Sequence, residues 1–200
     1  METLQSKFEN YVSGHSICSH DDKILLAVSG GVDSMVMLSL FAEAGYQIGV
    51  AHCNFQLRGP EAEEDELLVA EAAEKLGVPH YNIRFDTLKE MESTGESVQM
   101  AARRLRYAWF DALCDEHDYQ RIAIAHHGDD SVETFLINLL RGTGLRGLTG
   151  INVINGRLIR PLLFSTRKEI LDYALHKNIP FREDSSNSST KYLRNKIRLG

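Results

Sequence analysis

A chain of 200 residues with 43% hydrophobic and 25% charged positions suits one globular domain with a real core and excludes a disordered or membrane protein. No apolar run nears the roughly 20 residues that span a bilayer, and residues 1–22 lack the basic start and apolar stretch of a secretory leader, so no membrane partner is expected; three widely spaced cysteines without a CxxC pair make a reducing cytoplasm the simplest home. The net charge of −6 speaks against a dedicated nucleic-acid binder, although carboxylates crowd into 61–74 while 103–106 and 191–198 are basic.

Along the chain, short apolar runs alternate with longer amphipathic ones. Residues 23–29 (KILLAVS) predict a buried strand closed by glycines. A helix at 33–44 follows, with Gly45 as its C-cap. A second strand is expected at 47–52, a helix at 61–76 stopped by Gly77 and Pro79, and a third strand at 80–85. The long amphipathic helix 98–117 leads to a fourth strand, 121–126, and then to a helix at 130–140. Further on, 158–163 reads as a fifth strand and 165–177 as a helix with Ser165 as its N-cap. This alternation implies parallel pairing and right-handed crossovers. The expected fold is α/β, an open, mainly parallel sheet flanked by helices in three α/β/α layers.

The chemistry concentrates first at Ser29-Gly30-Gly31-Val32-Asp33-Ser34, between the first strand and the first helix. In an open α/β sheet, ligands bind outside the carboxyl ends of the strands. Paired glycines let the backbone approach a ligand, consecutive amides and a helix N-terminus make an anion nest, and Ser29 and Ser34 add hydroxyl donors. Asp33 would repel phosphate unless a Mg²⁺ ion lies between them. The plainer alternative is a strand-to-helix turn with Asp33 or Ser34 as a cap. No Walker A loop is present, and the formal GxGxxG at 142–147 follows a helix rather than a strand, so the dinucleotide reading fails. That segment is expected to be a mobile or substrate-facing loop. Three scattered cysteines (Cys18, Cys53, Cys114) argue against a disulfide framework, a zinc site or an iron–sulfur cluster. Cys53 and Cys114 read as small buried apolar residues.

SGGVDS after an apolar strand resembles the PP-loop ATP pyrophosphatases, with their adenine nucleotide alpha hydrolase-like fold. Further segments narrow the likeness: HCNFQLR at 52–58, ARRLRY at 102–107, AHHGDDSVET at 125–134, LRGTG at 140–144, RPLL at 160–163, and REDSSN at 182–187 with Arg194. In this order they resemble the catalytic domain of bacterial tRNA(Ile)-lysidine synthetases. The resemblance implies ATP as co-substrate, Mg²⁺, free L-lysine, and tRNA(Ile) with a CAU anticodon. It implies a catalytic domain at 1–180, with 181–200 leading to a C-terminal tRNA-binding region, and it is compatible with a homodimer. The wobble cytidine would be adenylated at its C2 oxygen and then attacked by lysine, releasing pyrophosphate and AMP.

Roles follow residue by residue. Ser29, Gly30, Gly31, Val32, Asp33 and Ser34 would cradle the nucleotide, and Asp33 would hold Mg²⁺. Asp130 and Glu133 are three apart, so they share a helix face and suit an ammonium group or, with Asp33, a metal. The resemblance gives them the lysine; capping at the helix start is the alternative. One of His126 and His127 would face the nucleotide, and His52 either packs or contacts adenine or ribose. Arg103, with a catalytic role, and Arg106 would neutralise ATP or RNA phosphate, unless they only form a solvated face. Arg194 and Arg198 would meet the RNA backbone. A PP-loop tRNA thiolase, which would want a cysteine pair, and a non-catalytic nucleotide binder are the rival readings.

Overall fold

The computed structural model describes residues 2–140, 142 and 150–183. Strand β1 (Lys23–Ala27) has its three central residues buried. A strand covered on both faces has no polar side, which is why it reads as one apolar run. Around it the chain lays out α2 (Val32–Glu43), β2 (Gln47–Asn54), α3 (Pro60–Leu76), β3 (His80–Arg84), α5 (Val98–His117), β4 (Arg121–Ile124), α6 (Gly128–Leu140), β6 (Leu158–Ile159) and α7 (Arg167–His176). Three elements were not anticipated: α1 (Leu4–Gly14), α4 (Thr87–Thr94) and β5 (Ile154–Asn155).

The strands run β3-β2-β1-β4-β6-β5, all parallel except β5 against β6. Strand order therefore reverses at β1, with β2 on one side and β4 on the other. The crevice beyond the carboxyl ends of β1 and β4 is the topological switch point, where such sheets bind ligands.

Two cores sandwich the sheet, as alternation along β1 requires. Ile24 and Leu26 pack with Phe8, Val36, Phe41 and Ile170 on one face, while Leu25 packs with Phe110, Leu113 and Ile122 on the other. The expected three-layer α/β/α arrangement is thus present. Lys7 joins α1 to Glu169 of α7 at 2.7 Å, and Lys177, just past α7, reaches Glu43 of α2 at 2.9 Å. Among the described residues, no helix is long and apolar enough to cross a membrane.

Boundaries moved where side chains took over from pattern. The N-cap of α7 is Thr166, not Ser165: Thr166 and Glu169 form a reciprocal capping box, while the buried Ser165 hydroxyl donates to the Leu162 carbonyl at 2.8 Å. The fifth strand is cut to two residues before Arg160 and Pro161, the latter lacking an amide to extend a ladder. Likewise β4 stops at Ile124. His127 makes only an isolated bridge to Leu162, which frees the histidine pair for the site.

Candidate active site

Between β1 and α2 the chain turns through residues 28–31. Gly30 holds φ +91°, and a Cβ there would lie 3.4 Å from the Cβ of Asp65, so glycine fits where a side chain would be strained. The loop is braced from within. Ser34 Oγ donates to the Gly31 carbonyl at 2.9 Å and accepts from the Ser29 amide at 3.1 Å. Its only proton is therefore used inside the loop, and the Ser29 hydroxyl, 3.2 Å away, donates to Ser34 Oγ. Gly31 is the N-cap of α2 and, among the described residues, no side chain caps that helix. Its open first-turn amides and dipole favour an anion.

Asp33 lies in that first turn. Its Oδ2 accepts from Arg167 Nη1 at 2.9 Å, while its Oδ1 is buried and, among the described residues, has no hydrogen-bond partner. Burial pushes the carboxyl above its ordinary range, Arg167 and His127 pull it down, and Asp130 pushes it up again. Three helix starts meet here. The Arg167 amide, at the start of α7, donates to Asp129 Oδ2 at 3.0 Å. Asp130, in the first turn of α6, accepts from the His127 amide at 3.0 Å, and its Oδ2 lies 3.6 Å from His127 Nε2. Glu133, one turn further, is only 6% exposed, an unusual depth for a carboxylate.

The cleft beside this cluster has a volume of about 590 Å³ and is lined by Ser29, Gly31, Asp33, Ser34, His52 and His126 among others. Sequence left open which of the paired histidines faces it; His126 does, while His127 is buried below. His126 Nδ1 accepts from Arg160 Nε at 3.2 Å, so a neutral ring carries its proton on Nε2. His52 shows the opposite tautomer. Its Nδ1 donates to the Val28 carbonyl at 2.8 Å, and burial lowers its pKa, so Nε2 is a bare acceptor. Arg106 reaches the cleft from α5 with its guanidinium 5.1 Å from the Phe55 ring centre. Arg103 is exposed, stacks 4.7 Å from the Tyr107 ring centre and stands outside the lining. Gly30, Val32, Asp130 and Glu133 also stand behind the lining rather than in it. Arg194, Arg198 and all of the 142–147 loop except Gly142 lie outside the described residues.

Among the described residues, no group of three or more His, Cys, Asp or Glu could hold a metal ion. The buried, unpartnered Oδ1 of Asp33 nevertheless suits a divalent cation whose remaining ligands are phosphate oxygens and water, the usual habit of Mg²⁺.

Sequence reasoning gave no role to Arg58, Asp65, Arg160, Arg167 or Arg182. Asp65 was hidden among the exposed acids of α3, yet it is 5% exposed and paired with Arg58 at 2.7 Å. Arg167 did carry a signal, since a cation at a helix start opposes the dipole and needs an acid elsewhere.

The PP-loop domain family matches residues 1–200 of this chain. The chain is 44% identical over 196 residues to the tRNA(Ile)-lysidine synthase of Bacteroides thetaiotaomicron, covering 98% of this chain and 46% of that protein. To the enzyme of the same name from Chlorobaculum tepidum it is 44% identical over 202 residues, covering 99% and 61%. It thus spans roughly half the length of these relatives. Among solved structures, the U34-tRNA thiolase NcsA of Methanococcus maripaludis superposes with a TM-score of 0.78 at 17% identity, covering 96% of this chain and 69% of that one. The NH3-dependent NAD synthetase of Campylobacter jejuni gives 0.61 at 14%, covering 98% and 80%. These two share the fold. Matched from its first residue to its last, the chain belongs to the PP-loop domain family.

Proposed function

We propose that this domain carries the chemistry of a cytoplasmic tRNA(Ile)-lysidine synthase, joining free L-lysine to C2 of the wobble cytidine in a CAU anticodon at the expense of ATP. The observation that carries the reading is the meeting of an uncapped helix start at the phosphate loop with two acids of α6 across Asp33. One end suits the phosphates of ATP, the other an amine.

In the first step the C2 oxygen of cytidine attacks the α-phosphate and pyrophosphate leaves. Ser29, Gly30, Gly31, Val32 and Ser34 shape the anion nest, and Arg106, with Arg103 behind it, offsets developing charge. Asp33 would hold Mg²⁺, which would supply charge neutralisation on the departing pyrophosphate. His52 and His126 offer an acceptor and a donor to the nucleotide from opposite sides of the cleft. In the second step the lysine side-chain amine attacks C2, and AMP departs with the C2 oxygen. The amine has a reference pKa near 10.4 and must lose a proton first. Asp130 and Glu133 hold the lysine and accept that proton. Arg194 contacts the RNA backbone, and the cytidine is unstacked to enter.

A thiolase would need a reactive thiolate in the cleft. Cys53 does line it, but burial pushes that thiol up to about 12, so it stays protonated and a poor nucleophile.

The test is to supply Mg-ATP, labelled lysine and unmodified tRNA(Ile), and to follow label in RNA together with AMP. Both should appear together and vanish with Asp33→Ala. Asp130→Asn and Glu133→Gln should cut label by at least roughly 100-fold, the range of a general base, while sparing pyrophosphate exchange. AMP without label in the unsubstituted protein would reject lysine as nucleophile.

A further inference from the structure

Beneath the phosphate loop lies a polar contact that the proposed chemistry does not use. Arg182, on the strand-like stretch after α7, donates its amide to the Gly30 carbonyl at 3.0 Å and bridges to Gly31. Its Nε stands 3.1 Å from Asp65 Oδ1, and its Nη2 pairs with Glu64. Asp65 Oδ2 meanwhile accepts from Arg58 Nη2 at 2.7 Å. One buried carboxylate thus gathers the loop after β2, helix α3 and the stretch after α7. The same residue walls the loop directly, because the space a Cβ on Gly30 would need is bounded by the Asp65 Cβ, Cα and carbonyl at 3.4–3.5 Å.

We propose that Asp65, acting through Arg182, is a positioning residue that sets the orientation of the Gly30–Gly31 peptide for phosphate binding. This rests on the nucleotide reading above. A trans peptide points its C=O and N–H in opposite directions. Drawing the Gly30 carbonyl toward Arg182 therefore turns the Gly31 N–H the other way. Among the described residues that N–H makes only a long 3.4 Å contact with Ser29 Oγ, and Gly31 itself lines the cleft. The amide is held ready yet weakly engaged, as a donor awaiting an anion should be. Glycine at 30 makes the device necessary, since a residue free to take either sign of φ does not hold a peptide orientation by itself.

The experiment measures dissociation constants of Mg-ATP and of AMP on the parent protein, Asp65→Asn and Arg182→Met, with a thermal melt of each. Asp65→Asn keeps size and removes charge. Arg182→Met keeps the backbone amide but frees it from its anchor, and it serves if Asp65→Asn fails to fold. A mispositioned loop should weaken ATP roughly tenfold, the order of one hydrogen bond to a charged group, while leaving AMP within about twofold. Arg182→Lys, which retains a cation near Asp65, should recover part of the ATP loss. Unchanged ATP binding in a folded variant overturns the proposal. So does equal weakening of ATP and AMP, which would mean general damage to the cleft. If the parent binds no ATP, it is the nucleotide reading that fails.

Discussion

Arg167 Nη1 sits 2.9 Å from Asp33 Oδ2, tying the start of α7 to the start of α2 across 134 positions of sequence. The pair sets burial, which raises the Asp33 carboxyl, against a guanidinium that lowers it, and burial prevails. A folded pKa above the unfolded value means the folded state holds the proton more tightly. The ionised carboxylate then weighs against folding at neutral pH, and this penalty fades as pH falls from the raised pKa toward the unfolded value of 3.8. Asp33→Asn should therefore raise the melting temperature at pH 7, on the order of 2 °C, while abolishing AMP release. A lower melting temperature would show that the ion pair outweighs desolvation.

Replacing the partner tests the same balance from the other side. In Arg167→Met the downward pull on Asp33 is gone, so its pKa climbs further. If ionised Asp33 is required, the acid limb of kcat/KM moves to higher pH, and activity at pH 6 suffers more than at pH 8. A uniform loss across that range would count against Asp33 as the titrating group.

Gly49 of β2 lies under Tyr119. A Cβ at that position would meet Tyr119 Oη at 1.9 Å and Cζ at 2.6 Å, and the tyrosine is only 6% exposed, with little room to retreat. Gly49→Ala should cost about 2 kcal/mol from overpacking, a fall of roughly 4–8 °C for a chain of this size. In a Tyr119→Ala background the same change should cost much less. Additive losses would place the strain elsewhere.

Glu169 is held down to about 2, first by the hydrogen bond from Lys7, then by the Thr166 amide. A depressed folded pKa contributes stability above the unfolded value of 4.5, and that stability is lost as pH falls toward 2. The pair is 38% exposed on both sides, so solvent screens most of its worth. Melts of Glu169→Gln should lie below the parent at pH 7, and the gap should narrow as pH falls below 4.5 and close only near pH 2. A gap that does not narrow between pH 5 and pH 2 would mean packing, not charge, holds α7 to α1.

What could be read from sequence was local. Residues 98–117 form the expected helix to the residue, and the loop between β1 and α2 was legible because glycines, strand and helix start are contiguous. α1 was missed because three buried residues in eleven, Leu4, Phe8 and Val12, give a thin periodic signal. β5, two exposed residues, gives none. The partners of Asp33 and Gly30 were unreadable for another reason. Each lies on α7 or just beyond it, and no spacing rule links elements joined only by folding. The same holds for the histidine pair, whose assignment turned on Arg160 reaching back to His126.

The bridge from Arg182 to Gly30 has a consequence for the order of events during synthesis. A ribosome makes the phosphate loop early, but the residue that orients it emerges some 150 positions later. Long-range contacts of this kind form late and slowly. Nascent chains short of Arg182 would then have a loop of the right composition and a weaker grip on nucleotide. Nucleotide in turn would favour chains that have closed this last contact, so that its binding rewards completed folding.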